Sequence, residues 1–419
     1  MSLSEAGLRT WWIKEPGKPA IYRIAAGGLI TAVGSEMTAI AFGFFLYDRT
    51  GSAFWLSVWY FLSFGITGIL TPVFGWLADR FDRRRLIIFS DVAAAGCSLT
   101  LIVAHDPVAL VAVAFVASIV GRVGSPSFAA AMPNLAGEER LEWANGTLGV
   151  AFNIGRLVGP VAGGALYVVA GRSVVFAVDA ATHLVAAASI WSLLIPFRAA
   201  EAEADAGERE EEPVETNSGV FRGFAIVFAD PAFRALVLIW AAGYFAVDIV
   251  LVGELPLARA LGAGALAFGV LEAAWGGGSI LGSLFGRKLR EEQDVLGISI
   301  GVVGIVVGWG LIALSPWFIP IVLLSGMVAV ASGVEDVAAF SMIQRSAADD
   351  VRGRVFSTFQ TSGLIANAIA FAIAGVIVDT FGPRSVFVLG AVMSALCIPL
   401  LRPLARRRAV GAEVVSPTT

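Results

Sequence analysis

Long apolar runs constrain this chain more than any other feature of its sequence. Twelve of them are close to 20 residues or longer, the length that an α-helix needs to cross the hydrocarbon core of a bilayer. Only 15% of the 419 residues are charged, compared with about 25% in ordinary globular domains. The predicted spans are 21–47, 53–77, 86–104, 107–130, 144–169, 174–196, 234–255, 265–286, 295–315, 317–340, 354–379 and 384–402. The sequence therefore predicts an all-α integral membrane protein with twelve transmembrane helices in contact with the lipid bilayer.

Basic residues between the spans indicate how the chain is oriented. Most of the 29 Lys and Arg residues fall on one side of the membrane if the N-terminus is placed in the cytoplasm. The opposite side then holds Arg49, Arg172, Arg259 and Arg384. Because cytoplasmic loops carry the excess of Lys and Arg, both termini are predicted to be cytoplasmic.

One long polar connection divides the chain into two groups of six spans. The predicted segments are an interfacial N-terminus (1–19), a six-helix bundle (20–197), an acidic cytoplasmic linker (198–219), a second six-helix bundle (220–402) and a cytoplasmic tail (403–419). The two bundles resemble each other, because Gly171-Arg-Ser-Val174 after the fifth span matches Pro383-Arg-Ser-Val386 after the eleventh. Such a duplication is typical of secondary transporters, with the substrate site near the bilayer midplane.

Composition excludes several classes of function. The net charge is −4 and the chain has no basic domain, so nucleic-acid binding is not expected. Cys97 and Cys397 lie inside apolar runs, and His105 and His183 are the only histidines. We therefore expect no metal site. No Walker-type loop for ATP is present, so neither a cofactor nor enzymatic activity is predicted.

The loop between the second and third spans reads Gly75-Trp-Leu-Ala-Asp79-Arg80-Phe-Asp-Arg83-Arg84-Arg85. It resembles the signature loop of the major facilitator superfamily, although Asp82 stands where that family usually has glycine. The resemblance implies a fold of two pseudo-symmetric six-helix halves. It also implies a conformational latch made of Gly75, Asp79, Arg80, Arg83 and Arg84. In this latch Asp79 would engage the cytoplasmic end of the eleventh span, where a helix terminus attracts a carboxylate.

The fifth span carries a second motif of regularly spaced small residues: Gly146, Gly155, Gly159, Pro160, Gly163 and Gly164. Glycines on one helix face allow close packing, and the proline bends the helix. All six positions match the antiporter signature of proton-driven drug exporters in the same superfamily. The resemblance implies export rather than uptake.

The resemblance extends over most of the chain. The fourth span carries Arg122, which is similar to a membrane arginine that assists proton transfer in exporters, although Ser125-Pro126 departs from that pattern. Further stretches, such as Leu46-Tyr-Asp-Arg-Thr-Gly-Ser52, resemble the bacterial branch that contains macrolide-type efflux pumps and an enterobactin exporter. This resemblance implies a location in the bacterial cytoplasmic membrane.

Ionisable residues inside the spans are candidates for proton coupling. A charge at the bilayer centre costs at least about 2.5–3.5 kcal/mol, so it must be paired or face water. The candidates are Glu36, Arg122, Arg156, Asp248 and Glu272. Ion pairs that only hold the helices together remain an alternative. Asp179 and His183 are interpreted as a structural pair and Asp91 as structural, whereas Glu335 and Asp336 are either gate contacts or solvated.

Together these features predict a transporter that exports an amphipathic, drug-like organic compound in exchange for protons by alternating access. It is expected to act as a monomer. A dedicated exporter of one metabolite, such as a siderophore, is the nearest alternative. An uptake symporter or a non-transporting membrane sensor would be a different class of protein, and the motif of the fifth span disfavours the symporter.

Overall fold

The structure is a computed structural model that describes residues 12–13, 15–197, 227–347 and 349–406. These residues are almost entirely helical. Apart from one isolated bridge between Ile13 and Leu193, the described ranges contain no β-structure. The principal helices are α1 (Lys18–Thr50), α2 (Ala53–Tyr60), α3 (Thr71–Arg80), α4 (Arg83–Val103), α5 (Pro107–Ala136), α6 (Leu141–Trp191), α7 (Pro231–Ala260), α8 (Ala265–Gly286), α9 (Asp294–Leu314), α10 (Phe318–Ser346), α11 (Asp349–Phe381) and α12 (Arg384–Ala395).

Ten helices of the described chain are individually long and apolar enough to cross a membrane, and one bent pair makes an eleventh span. The twelfth predicted span lies inside α6, which contains the fifth and sixth spans. The backbone of Gly171 within α6 has φ 76° and ψ 173°, so it breaks the helix between these two spans. A positive φ favours glycine because it carries no Cβ.

The second predicted span is broken rather than continuous. Phe61–Ile66 forms a π-helical segment after α2, and the helix through Ile69 meets α3 at an angle of 53°. Pro72 lies in the first turn of α3, where its missing N–H costs no helical hydrogen bond. The bend therefore occurs where the backbone hydrogen bonds are already interrupted.

Two equivalent arginines display the internal duplication. Arg172 donates to the carbonyl oxygens of Leu101 and Ala104, at 3.2 and 3.0 Å, at the end of α4. Arg384 donates to the carbonyl oxygens of Ala313 and Ser315, both at 2.6 Å, at the end of α9. The last carbonyls of a helix have no intrahelical partner, and a cationic side chain satisfies them. Each half of the chain thus uses the same residue for the same purpose.

The described helices form two compact units. The first contains α1, residues 62–197 and the first part of α8, Gly264–Ala273. In this unit α1 packs along α6, and α4 packs on α5 and α6. The N-terminal segment belongs here too, because Leu194 donates its N–H to the carbonyl oxygen of Ile13 at 2.7 Å.

The second unit contains Gly51–Phe61, α7, the rest of α8 from Ala274, and α9 to α12. Its core includes an aromatic cluster around Trp240 of α7. The Trp240 ring lies 4.2 Å from the Phe359 ring and 5.1 Å from the Phe340 ring, centroid to centroid. Aromatic contacts of this kind bring large apolar area into the core. The cluster joins α7, α10 and α11.

Four predicted segments fall wholly or partly outside the described residues, among them the second six-helix bundle, of which residues 220–226 and 348 are not described. The acidic linker 198–219 lies there entirely. So do residues 1–11 and 14 of the predicted interfacial N-terminus, and residues 407–419 of the predicted tail.

Candidate functional site

A cavity of about 480 Å³ opens among the helices of the first unit. It is bounded by α1, α4, α5 and α6. Most of its lining is small or apolar, but four ionisable side chains face it: Glu36, Asp91, Arg156 and His183. Cavities of this size, apolar with a few convergent polar groups, are the usual form of a small-molecule site.

Glu36 and Arg156 meet in this cavity. Glu36 Oε1 lies 3.8 Å from Arg156 Nε, and the two side chains are 36% and 66% exposed, respectively. A pair that is this open and this long contributes only about 0–1 kcal/mol. The contact can therefore be made and broken at little cost, which is a requirement for a group that exchanges protons.

The glycines of α6 hold α1 close enough for this contact. A Cβ on Gly159 would lie 2.5 Å from Glu36 Cβ, and one on Gly163 would lie 2.5 Å from the Cα of Met37. Gly155 faces Ala32 in the same way. Spaced small residues let two backbones approach at the distance seen here.

The remaining positions of the α6 motif behave differently. Gly164 packs against the backbone of Leu266 at the start of α8. Pro160 packs against Gly269 of the same helix through its backbone carbonyl. Gly146 is exposed, and within the described chain a Cβ there would meet no atom inside 4 Å. The motif thus packs against two neighbouring helices, α1 and α8, and Gly146 takes part in neither contact.

Two other sequence-predicted candidates of the first unit are placed elsewhere. Arg122 of α5 does not line the cavity described above; its guanidinium lies 6.0 Å from the centre of the Phe64 ring. Glu272 of α8 is half-buried. The structure therefore brings Arg156, and not Arg122, to Glu36.

Asp248 belongs to the second unit and is partnered there. Its Oδ2 accepts a hydrogen bond of 2.9 Å from the side-chain amide of Asn367 on α11. On α10 Glu335 is buried, with 6% of its surface exposed. Its carboxylate packs against the backbone of Gly301, where a Cβ would have no room. The hydrogen bond to Asn367 joins residues 119 positions apart, and no local pattern in the sequence indicated it.

The basic loop after α3 contacts α5 and the end of α6 in the first unit. Arg83 Nη1 donates to the carbonyl oxygen of Ala130 at 2.9 Å, and Arg84 donates to the carbonyl oxygen of Trp191. Arg80 lies over the Trp76 ring at 5.5 Å. Asp79 is exposed, and a Cβ on Gly75 would meet no atom of the described residues within 4 Å.

Asp91 and His183 were interpreted from the sequence as structural residues, yet both line the cavity. The two residues are 92 positions apart in the sequence, so no local pattern indicates that they are close. The packing of α4 on α6 brings them together. Among the described residues no group of three or more His, Cys, Asp or Glu side chains is arranged to hold a metal ion.

Two bacterial export proteins are similar in sequence to most of this chain. Macrolide efflux protein A of Streptococcus pyogenes is 26% identical over 403 residues, which covers 92% of this chain and 96% of that protein. The putative bacilysin exporter BacE of Bacillus subtilis (strain 168) is 24% identical over 317 residues, covering 74% and 76%.

Solved structures share the fold. A bacterial homologue of the iron transporter ferroportin, in an inward-facing state, superposes with a TM-score of 0.70 at 14% identity and covers 92% of this chain and 98% of its own. A peptide transporter of the POT family gives a TM-score of 0.71 at 13% identity, covering 94% and 97%. The sequence profile of the Major Facilitator Superfamily matches residues 24–327 and 249–417. With this match along nearly all of its length, the chain belongs to the major facilitator superfamily and is a multi-pass membrane transporter rather than an enzyme.

Proposed function

We propose that this transporter exports an amphipathic organic compound from the bacterial cytoplasm in exchange for protons, by alternating access. The observation that carries the proposal is the cavity of the first unit, in which Glu36 and Arg156 form a loose ion pair within mostly apolar walls. Protons and one small molecule are its partners, and it acts as a monomer with both termini in the cytoplasm.

The charge arrangement supports proton exchange. A carboxylate that leaves its arginine partner inside an apolar site favours its protonated form, because burial disfavours an isolated charge. The same carboxylate releases its proton when the arginine returns. One proton that moves inward down a potential of about 100 mV supplies roughly 2.3 kcal/mol, so transport needs no nucleotide.

The direction and the substrate class are supported by similarity. Two of the similar proteins are named as an efflux protein for macrolides and as a putative exporter of bacilysin. The apolar wall of the cavity suits an amphipathic compound, since apolar surface removed from water contributes about 25 cal/mol per Å². Export of one specific metabolite on the same machinery is the second candidate, and the name of the bacilysin relative favours it.

Everted membrane vesicles loaded with a pH-sensitive dye test the proposal. The vesicles are energised by respiration, and erythromycin or ethidium is then added. Proton release from the vesicles that follows the added compound, and that vesicles without the protein do not show, is the expected result. No response to either compound, together with unchanged drug accumulation in a pump-deficient host, would exclude a drug exporter.

The loop 75–85 supplies the proposed latch. Hydrogen bonds to the carbonyl oxygens of Ala130 and Trp191 hold Arg83 and Arg84 in place. These bonds fix the loop, from which the exposed Asp79 can engage a helix terminus. Asp79→Asn removes the carboxylate charge, which contributes about 0.3–1 kcal/mol at a helix N-terminus. We expect a two- to fivefold lower efflux rate at unchanged membrane expression. A wild-type rate would show that this carboxylate is not part of a latch.

A further inference from the structure

A second group of ionisable side chains lies inside the first unit, beside the Glu36–Arg156 pair. His183 of α6 occupies the space between two carboxylates. Its Nδ1 is 3.0 Å from Asp91 Oδ1, and its Nε2 is 3.8 Å from Asp179 Oδ1. The three side chains are 13%, 18% and 3% exposed, respectively. Imidazole is the side chain whose charge changes most readily near neutral pH.

The hydrogen bonding of this group is incomplete. Asp179 Oδ2 accepts a bond of 2.6 Å from the Ser98 hydroxyl. The other oxygen, Oδ1, is buried and has no hydrogen-bond partner within the described residues. A buried carboxylate oxygen without a donor is energetically unfavourable, so a purely structural network would be expected to satisfy it. Nε2 of His183 lies 3.8 Å from that oxygen.

Two members of the group reach the cavity. Asp91 and His183 line it, whereas Asp179 is buried and is not part of its lining. The other charged groups that face the cavity are Glu36 on α1 and Arg156 on α6, and α5 contributes hydroxyl and apolar side chains to the described lining. A proton that enters this cavity therefore meets Glu36 and His183 in the same compartment.

We propose that Asp91, His183 and Asp179 form a second proton-binding site, which loads and releases a proton through the cavity that also contains Glu36. The neutral imidazole takes a proton from cavity water at the nitrogen facing Asp179, while its Nδ1–H stays bonded to Asp91. The resulting imidazolium lies between two carboxylates and neutralises one of the two negative charges. Release returns the proton to the cavity along the same path.

The role of this site in transport rests on the proposed antiport. With Glu36 as the first site and His183 as the second, two protons move inward for each substrate molecule exported. The substrate gradient at equilibrium should then change a hundredfold for each pH unit across the membrane, because each proton contributes a factor of ten per unit.

The charge state of His183 tests the site without any substrate. The chain has only two histidines, so ¹⁵N-labelled histidine reports on His183 and His105 alone, and His105→Asn assigns the signals. We expect the His183 imidazole to change charge state once between about pH 5 and 8. A signal that keeps one charge state over this range would overturn the proposal.

The stoichiometry tests the coupling. In proteoliposomes with the membrane potential clamped at zero, the equilibrium gradient of erythromycin is measured against the imposed pH difference. His183→Asn keeps a donor for Asp91 but cannot be protonated, and we expect it to reduce the slope from two protons to one. The matched control His105→Asn, in the exposed turn before α5, should retain the wild-type slope.

The possible outcomes separate the two proposals. An unchanged slope in His183→Asn, or a wild-type slope of one, would remove the second site from the transport cycle. A wild-type protein that concentrates neither erythromycin nor ethidium under any pH difference would refute the proposed antiport. The histidine titration would then still decide whether the proton-binding site exists.

Discussion

At the scale of single residues, Glu36 is the group on which the proposed coupling depends most. It is an acid in the middle of a long apolar helix, and its partner Arg156 lies 3.8 Å away in the same unit. Glu36→Gln keeps the shape of the side chain but can neither bind a proton nor pair with arginine. We expect purified Glu36→Gln to lose pH-driven efflux in proteoliposomes by at least tenfold, while substrate binding is partly retained.

A matched control separates this effect from a general loss of acidic charge. Glu139 is exposed in the short turn between α5 and α6, and Glu139→Gln should transport at the wild-type rate. If Glu36→Gln still concentrates substrate when only a proton gradient is supplied, the coupling residue lies elsewhere. Asp248→Asn is then the next variant to measure.

Asp82 shows how one residue can depart from a family pattern for a local reason. It stands in the position where the superfamily usually has glycine, and its carboxylate accepts a 2.7 Å hydrogen bond from the backbone N–H of Arg85. This bond caps the N-terminus of α4, where the first N–H groups have no helical partner. The departure therefore stabilises the start of the third span.

At the scale of helices, the structure distinguishes glycines that the sequence motif treats alike. A Cβ on Gly163 would lie 2.5 Å from the Cα and 2.8 Å from the carbonyl oxygen of Met37. Backbone atoms cannot move aside as a flexible side chain can, so Gly163→Ala should force α1 and α6 apart at a cost of about 1–3 kcal/mol. We expect lower thermal stability in detergent and a several-fold loss of efflux.

Gly146 provides the control within the same motif. Because space around it is open, Gly146→Ala should leave efflux unchanged and stabilise the helix slightly, by about 0.4–1 kcal/mol. Equal damage from both substitutions would mean that the packing of α1 on α6 is not the function of this motif.

A second helix-scale feature is a cap supplied from a distant part of the sequence. Asp379 near the end of α11 accepts hydrogen bonds from the N–H groups of Ala53 and Phe54, at 2.7 and 3.1 Å, and also from the Ser52 hydroxyl. A carboxylate at a helix N-terminus satisfies its unpaired donors and its dipole. This contact lies within the second unit and fastens α2 to α11.

Hydrogen exchange measures the strength of this cap. A cap contributes about 1 kcal/mol, so Asp379→Ala should increase amide exchange in residues 53–60 about fivefold. Asp106→Ala, which removes the equivalent bond to the N–H of Ala109 at the start of α5, should leave residues 53–60 unchanged and expose the start of α5 instead. If residues 53–60 exchange their amide hydrogens at the same rate in both variants, Asp379 does not cap α2.

At the scale of the whole molecule, the duplicated architecture makes a prediction about sidedness. Arg172 and Arg384 bind the ends of α4 and α9 in the same manner, and both are predicted to lie outside the cytoplasm. Fusions of green fluorescent protein to either terminus should therefore fluoresce, whereas alkaline phosphatase fused after Arg172 should be active. Phosphatase activity from a C-terminal fusion would contradict the predicted orientation.

The transmembrane, all-helical character of the chain could be predicted from the sequence because it depends on a local quantity, whereas the sidedness of the spans stays a prediction. Crossing the bilayer requires about 20 consecutive apolar residues, and orientation follows the Lys and Arg content of adjacent loops. The family could be predicted for the same reason, since Gly75–Arg85 and the glycines of the fifth span are contiguous patterns. The break at Gly171 falls between the fifth and sixth predicted spans, 144–169 and 174–196.

The partner of each charged side chain within the spans depends on how the helices rotate about their axes and pack, and no local pattern contains that information. Glu36 could have met Arg122 or Arg156, and the close approach at Gly155, Gly159 and Gly163 places it against Arg156. Asp91 and His183, 92 residues apart, meet because α4 packs on α6. A charge within a membrane span must be paired or face water, and which of these it does is decided by tertiary packing.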